Sequence, residues 1–235
     1  FAMAALLQTI APPRGRLIFI GDIHGCYDEL RELLGRVAPT AADAVISVGD
    51  MVRKGPNPRG CVALWRSLGY RAVLGNNEER LMRRARNPLT WITRSAEDRE
   101  ILAYLRTWPL AIAIPELAIG AVHGGLLPGT EMSEAEVLRQ RRSIPRLRWV
   151  RREAEGWRYV PKGQKRDSDR LWAEAWDGEM VLVYGHTMVE TPKRDPFAIG
   201  LDTGCVYGGW LTAAIHRDGE WAFERVRARQ AYVRN

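Results

Sequence analysis

Short apolar runs alternate with amphipathic stretches along most of the chain. The runs Leu17–Ile20, Ala44–Val48, Ala72–Leu74, Ala111–Ile114, Ala118–Val122, Val181–Tyr184 and Ala198–Leu201 predict strands. Tyr27–Val37 places Leu30, Leu33, Leu34 and Val37 at spacings of three, four and seven, which predicts a helix with one apolar face. Cys61–Leu68, Glu79–Arg86 and Ala96–Thr107 predict further helices. Strand and helix in alternation imply a layered α/β fold. Near the end, Leu211–His216 and Trp221–Glu224 flank Asp218-Gly219 and predict a β-hairpin. Residues 128–169 have the weakest strand signal and the most charge, and read as an inserted cap of helix and loop within one domain spanning 1–235.

The length of 235 residues suits one α/β domain with a substantial core. No apolar run approaches the roughly 20 residues of a membrane span, so no membrane partner is expected. The longest, Pro109–Val122, is broken by Pro115 and Glu116. No secretory signal is visible, and Phe1-Ala2 ahead of Met3 reads as a remnant of expression. Three cysteines, Cys26, Cys61 and Cys205, form no disulfide framework and suggest small buried thiols in a reducing cytoplasm.

Net charge is +7, unevenly spread. Arg139–Arg166 holds eleven Lys/Arg against Glu153 and Glu155, with Trp149, Trp157 and Tyr159 interleaved. That mixture suits a polyanion, whether polyphosphate, nucleotide or RNA, and equally a solvated basic face. Arg141, Arg142, Arg148 and Arg170 are candidates for phosphate contact there, as is Tyr207 in a later glycine-rich loop.

Several predicted strands end in glycine and a polar residue. Gly21-Asp22-Ile23-His24-Gly25 follows the first run. Gly49-Asp50, Gly75-Asn76, Val122-His123-Gly124-Gly125 and Gly185-His186 follow later ones. Ligands at strand C-terminal ends occupy the usual place for sites in α/β sheets. Three of the four histidines stand in these turns, while His216 falls inside a predicted strand and reads as structural. Mixed nitrogen and oxygen donors suit Mn, Fe or Zn better than Ca, with Ni and Co also possible. Two cations about 3.5–4 Å apart can hold a bridging hydroxide and clamp a phosphate for in-line attack.

These motifs resemble the calcineurin-like metallophosphoesterases, in the branch that contains phosphoprotein phosphatases and symmetrical bis(nucleosyl)-tetraphosphatases. The resemblance rests on Gly-Asp-Ile-His-Gly at 21–25, Gly-Asp-Met-Val-Arg-Lys-Gly-Pro at 49–56, Gly-Asn-Asn-Glu at 75–78, Val-His-Gly-Gly at 122–125 and Gly-His-Thr at 185–187. Leu-Asp-Thr-Gly-Cys-Val-Tyr-Gly-Gly at 201–209 completes it. It implies the metallophosphoesterase fold, a β-sandwich flanked by helices. It also implies two divalent ions, most often Mn. Asp22 and His24 would bind the first ion, Asp50 would bridge, and Asn76, His123 and His186 would bind the second. Lys54 stands where the family has an arginine that contacts the substrate phosphate. Asp202 would orient a ligating histidine or cap a turn.

Two positions depart from the pattern. The family's catalytic histidine is Asn77 here, and the aspartate that orients it in protein phosphatases is Arg53. Asparagine cannot donate a proton to a leaving oxygen, though it can donate a hydrogen bond. General acid assistance is typically worth ~10²–10⁴-fold. Its loss should hurt basic alkoxide leaving groups most and phosphoanhydrides least. The favoured reading is therefore a phosphohydrolase acting on dinucleoside polyphosphates, with reduced activity. A protein Ser/Thr phosphatase acting on phosphoproteins and a non-hydrolytic nucleotide- or RNA-binding relative are the alternatives. Asn77 fits either a natural residue or an engineered replacement. Trp172 and Trp176, four apart, read as the core face of a helix.

Overall fold

A computed structural model describes residues 5–84 and 95–234. Phe1, Ala2, Met3 and the end of the predicted helix Glu79–Arg86 lie outside the described residues. In chain order the strands are β1 (Leu7–Thr9), β2 (Leu17–Ile20), β3 (Ala44–Ser47), β4 (Arg71–Ala72), β5 (Ala111–Ile114), β6 (Ile119–Val122), β7 (Trp149–Glu153) and β8 (Gly156–Val160). β9 (Arg170–Leu171), β10 (Val181–Tyr184), β11 (Lys193–Asp195), β12 (Ala198–Gly200), β13 (Trp210–Arg217) and β14 (Glu220–Arg227) follow. The α-helices are α1 (Tyr27–Val37), α2 (Pro58–Ser67), α3 (Asn76–Arg84), α4 (Ala96–Leu105), α5 (Glu134–Arg139) and the single turn α6 (Trp172–Ala175).

Two sheets carry the fold. One runs β14-β13-β2-β3-β4 and the other β1-β5-β6-β10-β12-β11. β2, β3 and β4 are parallel, and so are β6, β10 and β12. Apart from Ser47 and the exposed Arg71 their strands are short and apolar, as in sheets covered on both faces. Phe19 and Ile46 of the first sheet, with Val73 just after β4, pack with Ile112, Ala121 and Val183 of the second in one buried cluster. On the far side of the first sheet, α1 buries Leu30, Leu33, Leu34 and Val37, the four positions read from its periodicity. The parallel order aims the C-terminal ends of β2, β3 and β4 one way. The inter-sheet packing brings the ends of β6 and β10 to the same edge.

The segment 128–169 departs from expectation. It contains α5 and a 3₁₀ turn at Ile144–Arg146, but also the antiparallel pair β7–β8, which joins β9 in a third sheet. The strand signal was hidden because Arg151 and Arg152 stand in succession, one on each face of the ladder, so β7 shows no two-residue apolar repeat; Val150 and Val160 lie on opposite faces and are both buried. Trp172 and Trp176 are both buried, as expected of a core face, yet the helix they were read into is only one turn long. β1, β9 and β11 were also missed, each having only two or three residues in which to show a pattern.

Candidate metal and phosphate site

Asp22 follows β2, Asp50 follows β3, Asn76 opens α3, His123 follows β6 and His186 follows β10. With His24 they are the six ligands proposed from sequence, and the fold brings all six together. Asp50 is central. Its Oδ2 lies 3.6 Å from His24 Nε2 and its Oδ1 lies 3.3 Å from His123 Nε2. Ligand atoms of Asp22, His24 and Asp50 fall within 4.8 Å of one another, and so do those of Asp50, His123 and His186. Asn76 Oδ1 is 3.2 Å from His123 Nε2.

Tautomers follow from the backbone. His123 Nδ1 faces the Val48 carbonyl at 2.8 Å and His24 Nδ1 faces Val52 O at 3.4 Å. A carbonyl can only accept, so each Nδ1 carries a proton and each Nε2 is the atom turned to the cluster. Lys54 Nζ donates to the Nε2 lone pair of His24, 2.9 Å away.

The loops are strained toward this geometry. His24, Asp50 and His186 have φ of 49°, 52° and 63°, in the left-handed region that residues with a Cβ rarely adopt. Arg53 and Lys54 follow at 72° and 68°. Such positions cost on the order of 1–3 kcal/mol each and persist where surrounding packing over-determines them. Two glycines show how close that packing is. A Cβ on Gly185 would overlap the Asp22 carboxylate, and Gly49 has φ of 97° with a Cβ position 2.9 Å from His123 Nδ1.

Glu78 holds two of the loops together. Its carboxylate accepts from the backbone N–H groups of Asp50 (2.9 Å), Val52 (3.0 Å) and Gly75 (3.0 Å). Sequence reasoning quoted this glutamate and assigned it no task. Its signal was a charged residue two positions after a ligand, at the start of a helix whose first turn favours acids.

The protein groups alone leave the centre short of positive charge. Burial pushes the Asp22 carboxyl well above its ordinary range, and Asp202 and Asp50 add to this. Burial likewise raises Glu78 to about 7, with Asp50 contributing. Burial would also raise Asp50, but His123 and His24 outweigh it and hold that carboxyl well down. For His123 burial is outweighed by Asp50, which lifts the imidazole to about 10. Burial keeps His24 and His186 below the usual imidazole value, in the neutral form that ligates. Buried carboxylates facing imidazole Nε2 atoms fit divalent cations, for which His123 would give up its second proton.

Above the ligands lies a cavity of about 350 Å³. Lys54, Asn77, Arg148, Trp149, Met188 and Tyr207 are among its walls. Arg148 donates from Nη2 to His186 O at 2.7 Å, and the Lys54 ammonium sits 5.0 Å from the Tyr207 ring centroid. Of the weaker phosphate candidates, Arg148 and Tyr207 therefore reach the site. Arg141, Arg142 and Arg170 are exposed and line none of its walls. Asp202 lines the cavity and accepts from Gly204 N–H, so it caps a turn. His216 packs against Trp221, as a structural residue would. The three thiols are free and buried. In the basic hairpin, Lys165 covers Trp149 at 4.0 Å and Arg151 pairs with Asp169 at 2.7 Å, so part of that charge is neutralised or stacked internally.

Comparison with known proteins agrees with this geometry. The calcineurin-like phosphoesterase family pattern matches residues 15–212. A symmetrical bis(5'-nucleosyl)-tetraphosphatase of Aeromonas hydrophila is 30% identical, with 85% of this chain and 94% of that protein aligned. The one from Chromohalobacter salexigens is 29% identical over 89% and 97%. A crystal structure provisionally assigned as a diadenosine tetraphosphatase superposes with a TM-score of 0.79 at 29% identity, covering 95% of this chain and 98% of that one. A protein serine/threonine phosphatase from Saccharomyces cerevisiae, 12% identical with a TM-score of 0.63 over 97% and 85% of the two chains, shares the fold. This chain belongs to the calcineurin-like phosphoesterase family, metal-dependent hydrolases of phosphoester and phosphoanhydride bonds.

Proposed function

We propose that the protein hydrolyses dinucleoside polyphosphates or closely related phosphoanhydrides at a dinuclear centre. Asp22 and His24 would hold one cation, Asn76, His123 and His186 the other, and Asp50 both. Mn is the metal that membership of this family favours; the mixed imidazole, carboxylate and amide set also accommodates Fe, Zn, Ni and Co. When bound, the two ions supply Lewis acidity and an activated water. The observation that carries the reading is Asp50 standing between two ligand clusters under a cavity walled by cations.

The chain's own residues would do the rest. Lys54 and Arg148 bring positive charge to the phosphate, Lys54 as a point charge and Arg148 with a guanidinium partly anchored on His186 O. Asn77 accepts from Arg53 through Oδ1, which turns its amide N–H₂ toward Asp50 and the cavity. There it can donate a hydrogen bond to a leaving oxygen but no proton. Chemistry at this site therefore favours leaving groups that depart as stable anions, and phosphates near pKa ~6 leave far more readily than a serine alkoxide. Phosphoprotein turnover would be slow for the same reason. RNA contact through the basic hairpin would have to compete with its internal pairings. The three unpaired thiols suit a reducing, cytoplasmic setting.

The test is hydrolysis by the Mn-loaded protein, and by its Asn77→His form, of diadenosine tetraphosphate and a phosphoserine peptide. Turnover of the tetraphosphate by both forms, faster in the second, is expected. Turnover of the phosphopeptide alone would overturn the reading. Binding without turnover by both forms would identify a non-hydrolytic relative.

A further inference from the structure

Beside the metal site lies a second cavity of about 520 Å³, lined by Asn76, Arg80, Arg83, Arg84 and Arg146. Asn76 is a wall of both cavities, so the two adjoin at a proposed metal ligand. Arg80, Arg83 and Arg84 stand at i, i+3 and i+4 on α3 and share one face. Basic residues in a last helical turn complement the helix dipole, and that alone would explain Arg83 and Arg84. It does not explain Arg80, which is mid-helix, or Arg146, which comes from the separate 3₁₀ turn at Ile144–Arg146. Burial and then the proximity of Arg80 and Arg84 lower the Arg53 guanidinium from its ordinary value, so the positive field reaches the Asn77 side of the site. Glu79 pairs with Arg146 and is the acid within this group.

Guanidinium groups from two elements converge on this cavity. Their forked donors match phosphate oxygens two at a time. At its other end the metal cavity opens, through Met188 and Tyr207, on a more apolar cleft that includes Trp210. The centre thus lies between an apolar end and a cationic end.

We propose that the cavity of Arg80, Arg83, Arg84 and Arg146 is a subsite for the phosphates beyond the scissile one in a polyphosphate chain. This rests on the phosphohydrolase reading above and gives its substrate a direction. A phosphate held at the metals passes its neighbours over Asn76 into the arginine cavity. Substrates with two or more further phosphates gain from it, and monoesters do not.

Isothermal titration of orthophosphate and of a tripolyphosphate whose bridging oxygens are replaced by methylene, so that it cannot be hydrolysed, tests this without turnover, on the Mn-loaded protein and again in excess chelator. The variants are Arg80→Ala/Arg83→Ala and, as a milder change, Arg83→Gln. The two positions are exposed, and thermal unfolding checks that the variants stay folded. The double variant is expected to bind tripolyphosphate about tenfold more weakly, the loss of about 1.4 kcal/mol that charge-assisted hydrogen bonds supply. Its orthophosphate affinity should fall by a clearly smaller factor, and Arg83→Gln should lie between. In chelator the tripolyphosphate difference should persist. Equal losses for both ligands, or no loss for tripolyphosphate, would overturn the subsite. Intact tripolyphosphate selectivity in a protein that fails to hydrolyse diadenosine tetraphosphate would instead count against the phosphohydrolase reading alone.

Discussion

Arg53 Nη1 donates a 2.8 Å hydrogen bond to Asn77 Oδ1. The two positions that depart from the family pattern are thus direct partners. Where the resemblance to protein phosphatases implies an acid orienting an imidazole, a cation here orients an amide. Asn77 also donates from its backbone N–H to Asp50 Oδ1 at 2.8 Å, and its side-chain amide donates to Asp50 Oδ2. The amide is held from both sides, which makes it a fixed hydrogen-bond donor beside the proposed bridging carboxylate.

Restoring histidine should therefore help only partly. An imidazole at position 77 would sit against the Arg53 guanidinium, which disfavours its protonated form. Asn77→His should raise kcat/KM for a phosphoserine peptide within the ~10²–10⁴-fold range of general acid assistance, and less for diadenosine tetraphosphate. Asn77→His/Arg53→Asp should exceed the single change. The same gain for both substrates would rule out a leaving-group role for this position.

Asp22 is buried with Asp202 and Asp50 nearby, and among the described residues its shortest side-chain ion pair is the 3.9 Å contact with His24 Nε2. Asp22→Asn should stabilise the metal-free protein, with Tm rising by roughly 2–4 °C for each kcal/mol of repulsion removed. The same change should abolish most of the stabilisation that Mn confers on the native protein, because binding to the folded state alone raises Tm by mass action. Calorimetry with and without Mn reads both effects, and a fall in the metal-free Tm would contradict this account.

Glu78→Gln should loosen the turns that carry Asp50 and Asn76. The amide keeps one acceptor oxygen where the carboxylate uses two for three backbone N–H groups. A buried N–H left unpaired costs about 1–3 kcal/mol. Lower denaturant midpoints together with weaker Mn binding are expected, whereas unchanged metal affinity would mean the loops hold their shape without this bridge.

Lys54 supplies charge without the fork of an arginine. Lys54→Ala should lower kcat/KM by about 10²-fold, in keeping with removal of one charge-stabilising donor. Lys54→Arg should retain most of it. Equal loss in both variants would place the effect in the strained backbone of this loop, where Lys54 has φ of 68°.

Far from the site, Asp43 should set part of the acid stability. Burial would raise its carboxyl, but hydrogen bonds from Arg16 and from Thr40 N–H win and hold it well below the usual range. A depressed carboxylate pKa stabilises the fold at any pH above the unfolded value, ~3.9, and this contribution is lost as pH falls below that. Arg16→Met should lower the urea midpoint near neutral pH, with the gap from the native protein narrowing below about pH 4. A gap independent of pH would assign the Arg16 effect to its bonds with the Val37 and Ala38 carbonyls.

The proposed metal ligands were legible because each stands in a short, glycine-flanked motif at the end of an apolar strand, and parallel strands aim such ends one way. The α1 face was legible because four leucine and valine positions repeat with helical period. The β7–β8 hairpin was not, since Arg151 and Arg152 in succession leave β7 without a two-residue apolar alternation. Glu78 was not either, because its role depends on backbone groups from a loop 26 to 28 residues earlier.

Local chemistry written in the chain thus determined the family, the donor set and the absence of a proton-donating side chain at position 77. Tertiary structure alone decided that Arg53 would hold Asn77, that Glu78 would tie two ligand loops together, and that Arg146 would meet Arg80 and Arg83 beside Asn76. The first two follow from the parallel pairing of β3 with β4, which sets the loops of Arg53 and Asn77 side by side; the third follows from packing the sheets face to face, which brings the turn of Arg146, bonded to the loop after β6, against α3. A sequence motif records which atoms are available; distances between motifs are set by the core that neither motif contains.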